Sequence, residues 1–118
     1  MDKDTAWRSA EAWVAAWNRR DLDAIMEHYT EDVEFWSPTV IARLGIPSGK
    51  IEGKAKLREH FARGVQASGL RFELLDVLLG VDGMTLVYRR ETGVLVVDVV
   101  ALDENGKGRA VRAYYGTP

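Results

Sequence analysis

The apolar positions change period midway along the chain. From Asp4 to Arg19 the larger apolar side chains fall at Trp7, Ala10, Trp13, Val14 and Trp17, with polar residues between them. That is the 3.6-residue stripe of an amphipathic helix. Asn18-Arg19-Arg20 interrupts it, and Asp21 is placed to cap a second helix with the stripe Leu22, Ile25, Met26 and Tyr29. Two helices joined so tightly predict a helical hairpin. Val33 to Trp36 reads as a short strand ended by Ser37-Pro38. Pro38, Gly45, Pro47 and Gly49 then punctuate an irregular loop reaching about Glu52. A third helix is expected after Gly53, on Leu57, Phe61 and Val65, with His60 beside them.

Beyond Ser68 the pattern is that of strands. Leu70 to Leu79, Met84 to Arg90, Val94 to Leu102 and Arg109 to Tyr115 are strand-like, and Asp82-Gly83, Thr92-Gly93 and Asn105-Gly106 between them are hairpin signals. Three helices followed by a four-stranded meander predict an α+β fold with segregated elements. No repeat, linker or low-complexity stretch divides residues 1–118, so a single domain is expected.

Composition narrows the function. The chain has no cysteine, which excludes disulfides, thiolate metal sites and a cysteine nucleophile. Its net charge of −2 arises from 16 basic and 18 acidic residues mixed along the sequence. That balance leaves no footprint for nucleic acid or an anionic membrane. No apolar run reaches the roughly 20 residues of a spanning helix, and Met1 to Arg8 lacks a leader pattern, so a cytoplasmic protein is expected. The two histidines, His28 and His60, stand at no spacing that forms a metal motif with carboxylates such as Asp32 or Glu34. Neither metal nor other cofactor is expected. His28 lies off the Ile25/Tyr29 face and should be solvated.

The stretch Trp13-Val14-Ala15-Ala16-Trp17-Asn18-Arg19-Arg20-Asp21-Leu22-Asp23-Ala24-Ile25, followed by His28-Tyr29-Thr30-Glu31-Asp32-Val33, resembles the opening of the NTF2-like superfamily. Within it the chain is most similar to SnoaL-like polyketide cyclases and ketosteroid isomerase-like proteins. Ile51-Glu52-Gly53-Lys54-Ala55, Leu102-Asp103-Glu104-Asn105-Gly106-Lys107 and Ala113-Tyr114-Tyr115 extend the likeness over nearly the whole chain. The resemblance implies a cone: a curved antiparallel sheet, a cystatin-like roll, closed by three N-terminal helices around one apolar pocket. It also implies a homodimer formed through the outer face of the sheet. For function it is weak, because one such fold hosts isomerases, cyclases, dehydratases and non-catalytic proteins.

Asp98 is the most informative single residue. It lies in Val94-Leu95-Val96-Val97-Asp98-Val99-Val100-Ala101-Leu102, which is apolar on both faces and so reads as a central strand. A carboxylate there loses hydration and must be paired, hydrogen-bonded or protonated. Two readings stand: a carboxyl group at the floor of the pocket, or a structural ion pair with arginine. If Thr92-Gly93 is a two-residue turn, Asp98 opposes Val87, and Arg89 shares its face one diagonal step away. Arg112 on the next strand is the other candidate partner.

By the resemblance, Asp98 matches the aspartic acid that donates a hydrogen bond to a developing oxyanion. Trp13 stands where a ketosteroid isomerase carries its oxyanion-hole tyrosine, and Ser37 stands where it carries its general-base aspartate. A serine cannot move a proton from carbon without an activating base, so that mechanism does not transfer intact. Tyr29 matches a tyrosine that bonds to the oxyanion-hole residue, and is equally read as core. His60 is a candidate general acid or base, or a buried spectator. Trp13, Trp17, Trp36, Phe61, Val111 and Tyr115 are expected to make an aromatic and apolar lining, with Ser37 at its edge; alternatively the tryptophans simply fill core. The expected ligand is a small apolar, cyclic carbonyl compound. Asp98, Tyr29 and His60 would catalyse isomerisation, cyclisation or dehydration by proton transfer next to the carbonyl. The alternatives are a non-catalytic binder of such a ligand and a homodimeric interaction domain.

Overall fold

The computed structural model describes residues 1–117. Helix α1 (Lys3–Asn18) starts at Asp2, whose carboxylate accepts the Thr5 N–H at 2.8 Å. It buries Ala6, Ala10, Trp13, Val14, Ala16 and Trp17, so the apolar stripe faces inward as its period requires. Helix α2 (Leu22–Met26) is capped by Asp21, which accepts the Ala24 N–H at 3.1 Å. Arg20 turns the chain between the two helices in the left-handed region, at φ 59°. Asn18 at the end of α1 is tied across the fold: its amide donates to the Phe72 carbonyl at 2.9 Å and accepts the Phe72 N–H at 2.7 Å.

Tyr29 is not part of α2. It opens strand β1 (Tyr29–Trp36), paired with Gly108, because α2 ends within two turns and the chain extends at once. The segment expected to be an irregular loop contains helix α3 (Pro38–Leu44) and strand β2 (Lys50–Glu52). Ser37 caps α3, Pro38 occupies its first turn, and Gly45 ends it at φ 66°. Among the described residues there are thus four helices, not three. Helix α4 (Lys54–Gly64) follows, and then β3 (Phe72–Leu79), β4 (Gly83–Arg90), β5 (Leu95–Leu102) and β6 (Gly108–Tyr115).

The six strands form one curved sheet in the order β2-β1-β6-β5-β4-β3. All neighbours run antiparallel except β1 and β6, which are parallel, so the sheet departs in that one ladder from the all-antiparallel expectation. Register shifts at Leu74/Asp76, Ala101/Leu102 and Tyr29/Glu34 bend it. Tyr29, Val33 and Phe35 of β1, Leu86 and Tyr88 of β4 and Val96 and Asp98 of β5 are among the strand residues buried in the core. The convex face has no covering element and exposes Leu78, Val99 and Tyr114 at 52%, 43% and 60%. Among the described residues no helix is long and apolar enough to cross a membrane.

The β4–β5 hairpin corrects the register expected for Asp98. Arg90 donates its N–H to the Val94 carbonyl and accepts from Gly93 N–H, each at 2.9 Å, so the loop is Glu91-Thr92-Gly93 with Gly93 at φ 87°. Three loop residues in place of two shift the pairing by one. Asp98 opposes Leu86, not Val87, and β4 turns Leu86, Tyr88 and Arg90 to the face of Asp98.

Candidate functional site

Arg89 accordingly points away from Asp98 and donates to the Gly93 carbonyl at 2.9 Å. Arg112 opposes Val99 on the outer face and lies over the Trp36 ring, 3.9 Å from its centroid. Neither arginine pairs with Asp98. The carboxyl group is 5% exposed and has one polar side-chain partner, the Tyr88 hydroxyl, which donates to Oδ1 at a long 3.4 Å. Burial raises its pKa from 3.8 to about 7; the Tyr88 hydrogen bond and the more distant Arg90 charge oppose that rise without cancelling it. Asp98 is therefore poised between donor and acceptor near neutrality. Burial and the nearby Asp98 also push the Tyr88 and Tyr29 hydroxyls well above their ordinary value, so both stay protonated.

Asp98 borders two small cavities. The first, of about 40 Å³, is walled by Trp13 and Trp17 from α1, Phe35 from β1, Thr39 and Arg43 from α3, and His60, Phe61 and Gly64 from α4. Phe72 of β3, Tyr88 and Arg90 of β4, and Ala113 and Tyr115 of β6 complete it. The second, of about 30 Å³, lies on the other side of Trp13 and Asp98 and is bordered by Ser9, His28, Tyr29, Met84 and Gly108 among others. Each holds only a few waters at roughly 10–15 Å³ apiece, and a cavity that takes a benzene ring is about 150 Å³. Aromatic packing explains the small space. Phe72 stacks on Tyr88 at 4.7 Å and on Trp17 at 5.1 Å, and Phe61 meets Trp17 edge-on at 5.0 Å.

The first cavity gathers seven of the ten residues singled out in the sequence: Asp98, His60, Trp13, Trp17, Phe61 and Tyr115 directly, and Ser37 through a hydroxyl chain. Ser37 Oγ lies 2.8 Å from Thr39 Oγ1, which lies 3.0 Å from His60 Nε2. His60 Nδ1 has no hydrogen-bond partner, and neither has Trp17 Nε1. Burial lowers the His60 pKa to about 4, helped by the charges of Arg43 and Arg63, so the ring is neutral at pH 7. Tyr29 borders the second cavity, and its hydroxyl accepts the Trp13 indole N–H at 2.9 Å. That bond uses the one donor Trp13 has, so Trp13 offers a ligand apolar surface only.

The remaining two residues lie elsewhere. Trp36 is on the outer face, under Arg112 and 4.9 Å from Lys50 Nζ, because one-residue alternation along β1 turns Phe35 inward in its place. Val111 is fully buried between Phe35 and Val100 and borders neither cavity. His28 is half-buried, not solvated, and its pKa is lowered chiefly by burial. Sequence reasoning missed Phe35, Thr39, Arg43, Phe72, Tyr88 and Arg90. The alternation Leu86, Tyr88, Arg90 was a signal for two of them once the hairpin register was right. Among the described residues no three His, Asp or Glu side chains converge as metal ligands.

The arrangement offers a carboxyl group able to give or take a proton, an unpartnered indole N–H and an unpartnered imidazole nitrogen, all on aromatic walls. A buried N–H without an acceptor costs about 1–3 kcal/mol, which a ligand oxygen would recover.

The SnoaL-like domain family matches residues 10–115. A SnoaL-like protein of unknown function from Burkholderia thailandensis is 30% identical, with a TM-score of 0.93 over 98% of each chain. The epoxide hydrolase/cyclase-like enzyme SalBIII, of pyran ring formation in salinomycin, is 24% identical with a TM-score of 0.75, covering 99% of this chain and 95% of its own. A candidate isomerase from Bacillus subtilis is 21% identical with a TM-score of 0.77, over 98% and 90%. At these identities the last two establish the fold alone. No curated protein matches the chain in sequence.

Proposed function

The chain belongs to the SnoaL-like domain family, and from that premise we propose that it binds a small, apolar cyclic carbonyl compound and transfers protons next to the carbonyl through Asp98. The observation that carries this reading is a buried carboxyl group, free of any cation partner and bordering an aromatic cavity, whose burial pushes its pKa up to about 7. Protonated Asp98 gives its proton to the ligand carbonyl oxygen while its other carboxyl oxygen takes the proton from the adjacent carbon. The C–H electron pair becomes the C=C bond of the enol and Asp98 stays protonated; the Trp17 N–H is a second donor to the ligand oxygen. His60, neutral with a pKa of about 4, is too weak a base to take a proton from carbon and serves as a hydrogen-bond partner. Because Asp98 both gives and receives the proton, the same enol serves isomerisation, cyclisation or dehydration. Ligand entry parts the aromatic wall, since the closed cavity of about 40 Å³ is smaller than a ring.

Acetophenone titrations followed by the indole N–H signals in 1H–15N NMR spectra test the reading. Binding to the wild type should be up to about tenfold tighter at pH 6 than at pH 8, the change in the protonated fraction of a group with a pKa near 7. Asp98→Asn should bind with no pH dependence over that range. Absence of binding at both pH values, or an unchanged pH dependence in the Asn variant, would refute it.

A second observation favours self-association. The convex face of the sheet exposes Leu78 of β3, Val99 of β5 and Tyr114 of β6, large apolar side chains on a face that no helix covers among the described residues. We propose that a second copy of the chain covers it, leaving the cavity mouths free.

A further inference from the structure

We propose that the cyclic carbonyl ligand also carries a carboxylate group, its ring held among the aromatic walls and the carboxylate taken by Arg43 at the mouth of the first cavity. This rests on the pocket reading above and adds the chemical class of the ligand.

Three charged side chains border that cavity: Arg43, Arg90 and Asp98. Arg90 is already satisfied. Its Nε and Nη2 donate to the two Glu91 carboxylate oxygens at 3.1 and 2.9 Å, and its guanidinium lies over the Phe72 ring. Asp98 sits deep and is held toward its neutral form by burial. Arg43 differs from both. It is exposed, and among the described residues it makes no ion pair. Its position is nevertheless defined: a methyl group added at Gly64 would stand 3.6 Å from an Arg43 Nη1 and 3.1 Å from the Trp17 ring. The guanidinium thus rests on the rim where the Trp17 indole meets α4.

Its charge is felt inside the cavity, where with Arg63 it helps keep His60 unprotonated, and with Arg90 it pulls against the rise of the Tyr115 hydroxyl. The mouth is therefore positive: among the described residues that line the cavity the one carboxyl group is that of Asp98, deep inside. An anion of matching shape would supply the missing partner. The geometry favours a carboxylate over a phosphate: one planar guanidinium matches one carboxylate in a two-point contact, whereas a dianion calls for several cations or a cradle of backbone N–H groups. A flat aromatic or cyclic acid can reach Arg43 with its carboxylate while its ring meets Trp17.

Benzoate and benzamide test this, because they share a shape and differ in charge. In NMR titrations of the indole N–H signals, the wild type should bind benzoate more tightly than benzamide, by up to about fivefold, the scale of an exposed ion pair. Arg43→Gln should abolish the preference by weakening benzoate alone, and Arg43→Lys should restore part of it. Equal binding of the two by the wild type, or a preference that survives in Arg43→Gln, would overturn the proposal while leaving the pocket reading intact. Binding of neither ring would overturn both.

Discussion

Asp98 and His60 border the same cavity and titrate in opposite senses, which makes a stability argument possible from two residues. The folded chain holds the Asp98 proton to about pH 7, whereas a free carboxyl releases it near 3.8. Ionised Asp98 thus destabilises the fold: the penalty is absent below about pH 4, grows between 4 and 7, and is complete above. His60 works the other way. Its folded pKa of about 4 lies below the ordinary 6.5, so its contribution is fully present above pH 6.5 and is lost as pH falls toward 4. At full extent the Asp98 shift is worth about 4 kcal/mol and the His60 shift about 3 kcal/mol, since one unit is about 1.4 kcal/mol. Urea unfolding between pH 4.5 and 7 should therefore show Asp98→Asn gaining stability with rising pH relative to wild type, and His60→Gln losing it. Curves parallel to wild type in both variants would remove the electrostatic account of the cavity. Asp98 was legible in the sequence because a lone carboxyl in a run apolar on both faces has few fates. Its neighbours were not legible, because a one-residue change in hairpin loop length exchanges Arg89 for Arg90.

Among the elements, α3 has the most to say about reading a sequence. Ser37-Pro38 ends a strand, as the sequence predicts, and it is also the start of a helix: a serine cap followed by proline in the first turn. Both readings are true of the same dipeptide, and seven residues are too few for periodicity to reveal the helix. Strand β2 escaped for the same reason. It is three residues long, and Lys50 braces it by pairing with Glu34 at 2.6 Å and Glu52 at 2.9 Å. The long stripes of α1 and α4 and the alternation of the later strands were legible because burial of one face imposes them. Ser37 has a structural task as well as its link to His60. Replacing it with alanine removes the acceptor for the Thr39 N–H, and Ser37→Ala should cost about 1 kcal/mol in urea unfolding. A loss indistinguishable from zero would mean that the Pro38 turn alone holds α3.

At the scale of the molecule, the proposed pairing through the convex sheet face predicts an assembly. Sedimentation should find the wild type at twice the chain mass, and Val99→Glu should yield a folded monomer by placing an unpaired charge in the interface. A monomeric wild type at the highest soluble concentration would refute the proposed pairing. The parallel ladder of β1 and β6 has a different consequence, which concerns synthesis. Glu34 pairs with Ala110, and Phe35 with Val111, so β1 waits for its partner while most of the chain is made. At roughly 5–20 residues per second that wait lasts several seconds. During it β3, β4 and β5 can form hairpins from local contacts, and with them come Phe72 and Tyr88, against which Trp13 and Trp17 of α1 pack. It is β1 that carries an unpaired edge, with the apolar Val33 and Phe35, until β6 arrives. Its yield in a cell should therefore respond to chaperone supply more sharply than the stability of the finished fold would suggest.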